Sequence, residues 1–129
     1  MKSFSDYIID IKAIRHNILQ IEKAVNDTKI CAVVKADGYG LGTKNFVPSI
    51  DDLVFCYAVA CFKEAVELRK STQKDILILN TIPKENLVFC AENNFEISVF
   101  SKSQILQMIK VFSKKSGKKL KLHLAVNTG

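Results

Sequence analysis

The sequence predicts an α/β fold in which a parallel sheet is covered by helices, and three observations point there. Five short apolar runs rich in β-branched residues recur along the 129 residues: Cys31 to Val34, Val54 to Ala60, Ile76 to Leu79, Ile97 to Phe100 and Leu120 to Val126. Between them lie stretches whose apolar residues follow helical spacing. Capping and turn residues sit at the junctions. Strands that alternate with helices in this way are the signature of repeated βα units.

Taken in order, Asp6 to Ile11 reads as a short strand. Ile14, Ile18, Ile21 and Val25 then form one apolar helical stripe, with Asp10 placed to cap that helix. The segment after Phe62 carries Ala65, Val66 and Leu68 on its apolar side, and Lys63 and Glu67 are spaced to pair across one turn. Pro83 suits the first turn of a short helix running to Asn93. Ser101 and Gln104 fit a capping box for a last helix, in which Ile105, Ile109 and Phe112 make the stripe and Gly117 marks the stop. Neither an internal repeat nor a linker interrupts the pattern, so residues 1–129 read as one unit.

Composition narrows the function classes. With 48% hydrophobic and 25% charged residues the chain has the balance of a globular domain. No run approaches the roughly 18 apolar residues of a membrane span, and Met1 to Asp6 lacks the apolar core of a signal peptide, which points to a cytoplasmic protein. The four cysteines, at 31, 56, 61 and 90, have no CxxC pairing, and they read as buried free thiols. His16 and His123 lack partners at metal spacing. The net charge of +6 draws on Lys110, Lys114, Lys115, Lys118, Lys119 and Lys121, which fall at the end of the last helix and in the turn beyond it. Cations there complement the helix dipole, and no aromatic residues interleave with them, so nucleic-acid binding is not expected.

The chemistry concentrates at Lys35. It closes the run Cys31-Ala32-Val33-Val34 and opens into Ala36-Asp37-Gly38-Tyr39-Gly40-Leu41-Gly42. A lysine at that junction is expected to project from a strand end into a loop-lined site. Partial desolvation would free its amine to form a Schiff base with an aldehyde, with Tyr39 close by. A phosphate-binding loop is a poorer reading. The glycines run GxGxG, and Lys35 precedes them where a P-loop lysine follows.

The run AVVKADGYGLG resembles the pyridoxal-phosphate attachment motif of the alanine racemases. Tyr7 to Asn17 is similar to the family's opening strand and helix. Tyr57-Ala-Val-Ala60 with Glu64-Ala65 and Leu68-Arg69 is similar to its second barrel strand and helix, and Leu122 to Gly129 to the strand that leads into its Thr-Gly-Met-x-Arg segment.

The resemblance implies a partial (β/α) barrel, about five of eight barrel strands preceded by a short strand and helix, without the family's β-rich C-terminal domain. It implies pyridoxal phosphate held as a Schiff base by Lys35, with Tyr39 also at the cofactor. The activity it implies is interconversion of L- and D-alanine, which supplies cell-wall synthesis. Lys35 would be one of two bases, the other being a tyrosine from the C-terminal domain of the partner subunit, since racemisation needs a base on each face of a planar carbon. A homodimer is implied for full-length members. For this chain the expectations are self-association through open sheet edges and no turnover alone.

Three positions depart from the family pattern. Leu41 stands where histidine is common, Ala125 where many members carry a lysine, and Asn127 where aspartate is usual. Two other readings stay open: a non-catalytic pyridoxal-phosphate-binding barrel protein, against which AVVKADGYGLG counts, and a degenerate or truncated racemase remnant, which Ala125 favours.

Overall fold

The computed structural model describes residues 7–26, 28–112 and 119–129. Within them lies a five-stranded parallel sheet of strand order β1-β2-β3-β4-β5, formed by β1 (Cys31–Val33), β2 (Cys56–Val59), β3 (Ile76–Ile78), β4 (Phe95–Val99) and β5 (Leu122–Leu124). Every strand neighbours the next one in sequence. That is the order a barrel lays down as it winds, and a doubly wound sheet would instead reverse direction partway. All five expected strands are present, each within a few residues of its expected run. Their helices are α1 (Ile11–Ala24), α2 (Lys35–Tyr39), α3 (Thr43–Ile50), α4 (Phe62–Leu68), α5 (Leu87–Glu92) and α6 (Lys102–Phe112).

The two faces of the sheet differ in burial. Tyr57, Val59, Ile76, Ile78, Phe95, Ile97 and Val99 point to the helices and expose 1% or less of their surface. Val47, Ile50, Ala65, Leu68, Leu87 and Cys90 pack on them from the helix layer. The opposite face, which would line a barrel, carries Cys31 and Val33 at one edge, both exposed, and the buried Ala58 and Ser98 near its middle. A parallel sheet is normally covered on both faces. Here the helix side is the covered one.

Several local expectations hold and several change. Asp10 caps α1, its carboxylate accepting the Ala13 N–H at 3.1 Å. Residues 7–10 form no strand, and Tyr7 and Ile8 are exposed. Asp10 had been read both as strand residue and as cap. With no neighbouring strand to pair the segment, capping decides its conformation. Ile14 and Ile18 pack on the core, whereas Ile21 and Val25 at the far end of the stripe stay exposed.

Glu67 pairs with Lys70 in place of Lys63, at 2.6 Å. Pro83 precedes a 3-10 turn, Lys84–Asn86, that leads into α5. At α6 the Gln104 N–H donates to Ser101 Oγ at 3.2 Å, as a capping box requires, but the Gln104 side chain accepts from Phe100 N at 2.9 Å, one residue further back. Met108 takes the buried place in α6, and Ile109 is exposed.

Lys114, Lys115, Gly117 and Lys118 lie outside the described residues. Lys121 does not belong to a solvated helix end: it ion-pairs with Asp75 and Glu96 on the sheet. Among the cysteines, Cys90 alone is buried; Cys56 is half-buried, and Cys31 and Cys61 are exposed. The apolar run around Cys31 had suggested burial, but the side chain points to the uncovered face of an edge strand.

Candidate active site at the end of the first strand

The chain leaves β1 through a left-handed turn. Ala36, Asp37 and Gly38 have φ/ψ near (51, 46), (51, 48) and (67, 40), and Tyr39 and Gly40 continue with φ of 56 and 87. A left-handed conformation costs an L-residue roughly 1–2 kcal/mol, so Ala36, Asp37 and Tyr39 adopt it only where their surroundings hold them there. The turn closes on itself through Gly38 N to Val34 O and Gly40 N to Ala36 O, both 2.9 Å, and Gly42 N to Asp37 O, also 2.9 Å.

Packing and two carboxylates fix the turn from outside. A Cβ on Gly38 would lie 2.7 Å from the Phe46 ring, so that position requires glycine for space as well as for its positive φ. Asp37 Oδ1 accepts both the Thr43 N–H at 2.8 Å and the Thr43 hydroxyl at 2.9 Å, at the start of α3. These two bonds lower the Asp37 pKa from its ordinary value. Glu64, on α4, joins the ends of the first two strands: one oxygen accepts the Ala36 N–H at 3.0 Å and the other the Ala60 N–H at 2.8 Å.

Lys35 sits between two anchored peptide groups. Before it, Val34 O accepts the Gly38 N–H at 2.9 Å; after it, Ala36 N donates to Glu64. Among the described residues Nζ of Lys35 makes no hydrogen bond or ion pair, and the side chain is exposed, not partly desolvated as a lysine at a strand end had been expected to be. The reason is its face. By the alternation of the strand, Lys35 follows Cys31 and Val33 on the uncovered side of the sheet.

Tyr39 lies at the far end of the same turn, 65% exposed, and no hydrogen bond joins it to Lys35. A cleft of about 840 Å³ opens on another side of the turn, lined by Val34, Asp37, Thr43, Lys44, Val59 and Glu64, and neither Lys35 nor Tyr39 lines it. Its floor is apolar and belongs to the helix side, so it is separate from the lysine. His123, read as lacking a metal partner, pairs with Glu96 at 2.5 Å. Among the described residues no group of three or more His, Cys, Asp or Glu is placed to hold a metal ion.

Two features had no clear signal in the sequence. Helix α3 contains Pro48 and follows three glycines, so its residues resemble loop. Glu64 reaches the lysine's strand through the β1–β2 register, which spacing along the chain does not encode.

The comparisons with known proteins agree with this geometry. The family model for the alanine racemase N-terminal domain matches residues 9–129. The alanine racemase of Helicobacter pylori strain G27 is 36% identical over 135 aligned positions, covering all of this chain and 35% of that protein. The alanine racemase of Lactococcus lactis subsp. cremoris strain SK11 is 34% identical over 124, covering 95% and 33%. This chain thus spans about a third of the length of the curated relatives it matches. The crystal structure of alanine racemase from E. faecalis superposes with a TM-score of 0.85 at 27% identity, over 94% of this chain and 33% of that one. A histidine racemase from Leuconostoc mesenteroides shares the fold, with a TM-score of 0.78 at 22% identity over 87% of this chain and 30% of that one. With the family model matching residues 9–129 and the fold superposing over nearly the whole length, the chain belongs to the alanine racemase N-terminal domain family.

Proposed function

We propose that residues 1–129 form the N-terminal barrel portion of a pyridoxal-phosphate-dependent racemase that interconverts L- and D-alanine. The observation that carries this reading is Lys35, whose amine stands free at the C-terminal end of the first barrel strand, within AVVKADGYGLG. In barrel enzymes that end of the strands is where the chemistry collects.

The residues present fit the cofactor. Lys35 offers an exposed amine with no competing partner among the described residues, on a backbone pinned on both sides. Tyr39, on the same turn, is exposed and available to the same ligand. Pyridoxal phosphate, when bound, supplies an electron sink for the pair left behind when a Cα proton departs. Lys35 Nζ would hold the cofactor and then take and return that proton on one face. Glu64 and Asp37 orient the turn. A base for the opposite face is assigned to a tyrosine of a C-terminal domain from a second subunit, so this chain alone is expected to give no enzymatic turnover.

The test is to incubate the chain with pyridoxal phosphate, reduce with borohydride and map the modified peptide. Label confined to Lys35, and lost in Lys35→Ala, supports the reading; label spread over surface lysines sinks it. Ala125 favours a second reading, a degenerate racemase without activity, because no amine is present there to orient a neighbour. Alanine turnover by a preparation in which this chain supplies the only cofactor lysine would decide against it.

The described helices include none long and apolar enough to cross a membrane. A cytoplasmic location is proposed along with the activity, since the amino-acid substrate and the cofactor are both cytosolic in character.

A further inference from the structure

Cys31 and Cys56 are register partners on adjacent parallel strands. Partners of that kind point to the same face, and here it is the uncovered one: Cys31 is exposed and Cys56 half-buried. Strands in a sheet stand about 4.8 Å apart, and parallel partners hold their Cβ atoms at about that spacing. A disulfide needs Cβ atoms about 3.5–4.5 Å apart, so an S–S bond would have to pull the two strands together. A larger atom bridging both sulfurs, at about 2.3 Å from each as thiolate–metal bonds run, fits the spacing as it stands.

We infer that Cys31 and Cys56 form a dithiol site for a soft, thiophilic centre that takes two sulfur ligands, of which a monosubstituted trivalent arsenical is the simplest probe. The reaction is a condensation without redox change. Two S–H bonds and the As=O bond break, two As–S bonds form, and the protons leave with the oxygen as water. Ligand softness favours such centres over the oxygen-seeking cations, for which the described residues offer no cluster.

The same environment makes Cys56 a poor target for ordinary alkylation. Burial, the Cys31 thiol and the nearby Glu96 and Asp75 carboxylates push the Cys56 thiol up to about 12. Its thiolate is therefore scarce near neutral pH, and single-site reagents that need the thiolate react slowly. Cys61 is exposed and stands alone, so it separates the two kinds of reactivity.

The experiment treats the folded chain with one equivalent of phenylarsine oxide, removes excess by gel filtration, then labels with a maleimide for a time in which the untreated chain labels at Cys31, Cys56 and Cys61 alike, and maps the peptides. Retained arsenic with Cys31 and Cys56 together protected, and Cys61 labelled, is the expected result. Cys31→Ser and Cys56→Ser should each retain arsenic about a hundredfold more weakly or worse, because the second sulfur contributes by chelation. Cys61→Ser should match the parent. Circular dichroism checks that each variant is folded, and the protection pattern of the unmodified chain stands without any variant. Protection of any other cysteine pair, retention by Cys31→Ser, or no retention by the parent would overturn the site. Formation of a Cys31–Cys56 disulfide with diamide, at unchanged stability, would overturn the spacing argument.

Discussion

The two edge strands of the sheet are held in different ways. Beyond β1 the chain enters a costly left-handed turn, yet nearly every polar group there has a named partner, and Gly38 packs against Phe46. At β5 the backbone is regular, but Leu122, Leu124 and Val126 are 39%, 66% and 69% exposed, and the side-chain anchors are the Lys121 and His123 pairs with Asp75 and Glu96. Strain therefore does not mark the weak end of this molecule. Conformational cost is tolerated where contacts within the chain over-determine the backbone, and both edges, the regular strand included, leave apolar surface over.

Substitutions can break that contrast. The largest loss is expected from Ile97→Ala, in the covered face of β4 beside β5, at about 2–5 kcal/mol by urea unfolding, since a fully buried isoleucine leaves a cavity. Gly38→Ala should follow at about 2–4 kcal/mol, combining a positive φ with overpacking against Phe46. Adding Phe46→Leu should recover part of the steric share and none of the conformational share. A Gly38→Ala chain as stable as the parent would mean that the turn is not wound as described. Leu124→Lys, at the other edge, should change stability by no more than about 0.5 kcal/mol. Its effect is expected on assembly. If the β5 edge joins copies of the chain, light scattering should show a lower mass for this variant than for the parent, and equal masses would remove β5 from the interface.

How far the sequence could be read follows from which interactions are local. The five strands were legible because each is a short β-branched run with a turn signal on either side, and the Asp10 cap and Ser101 cap were legible because a cap acts within three residues. Lys35 is singled out by its motif. The direction of the backbone after it was not, since Ala36, Asp37 and Tyr39 carry no preference for a left-handed turn, and the groups that impose it, Phe46, Thr43 and Glu64, arrive from two later helices. Cys31 was misjudged for a related reason: an apolar run shows that a strand is buried on some face, but not which of its residues face the covered side.

Glu64 bears on Lys35 in one more respect. With the peptide before the lysine bonded to the Gly38 N–H and the peptide after it bonded to Glu64, its Cα is a stationary pivot and the four-carbon stem a swinging arm. Capturing an aldehyde then restricts the arm alone, about 2 kcal/mol of rotamer freedom. A lysine on a slack loop would also forfeit roughly 1–2 kcal/mol for each backbone residue stilled. The carboxylate that ties the two strand ends has already confined the search, and it does so from a helix that never reaches the amine.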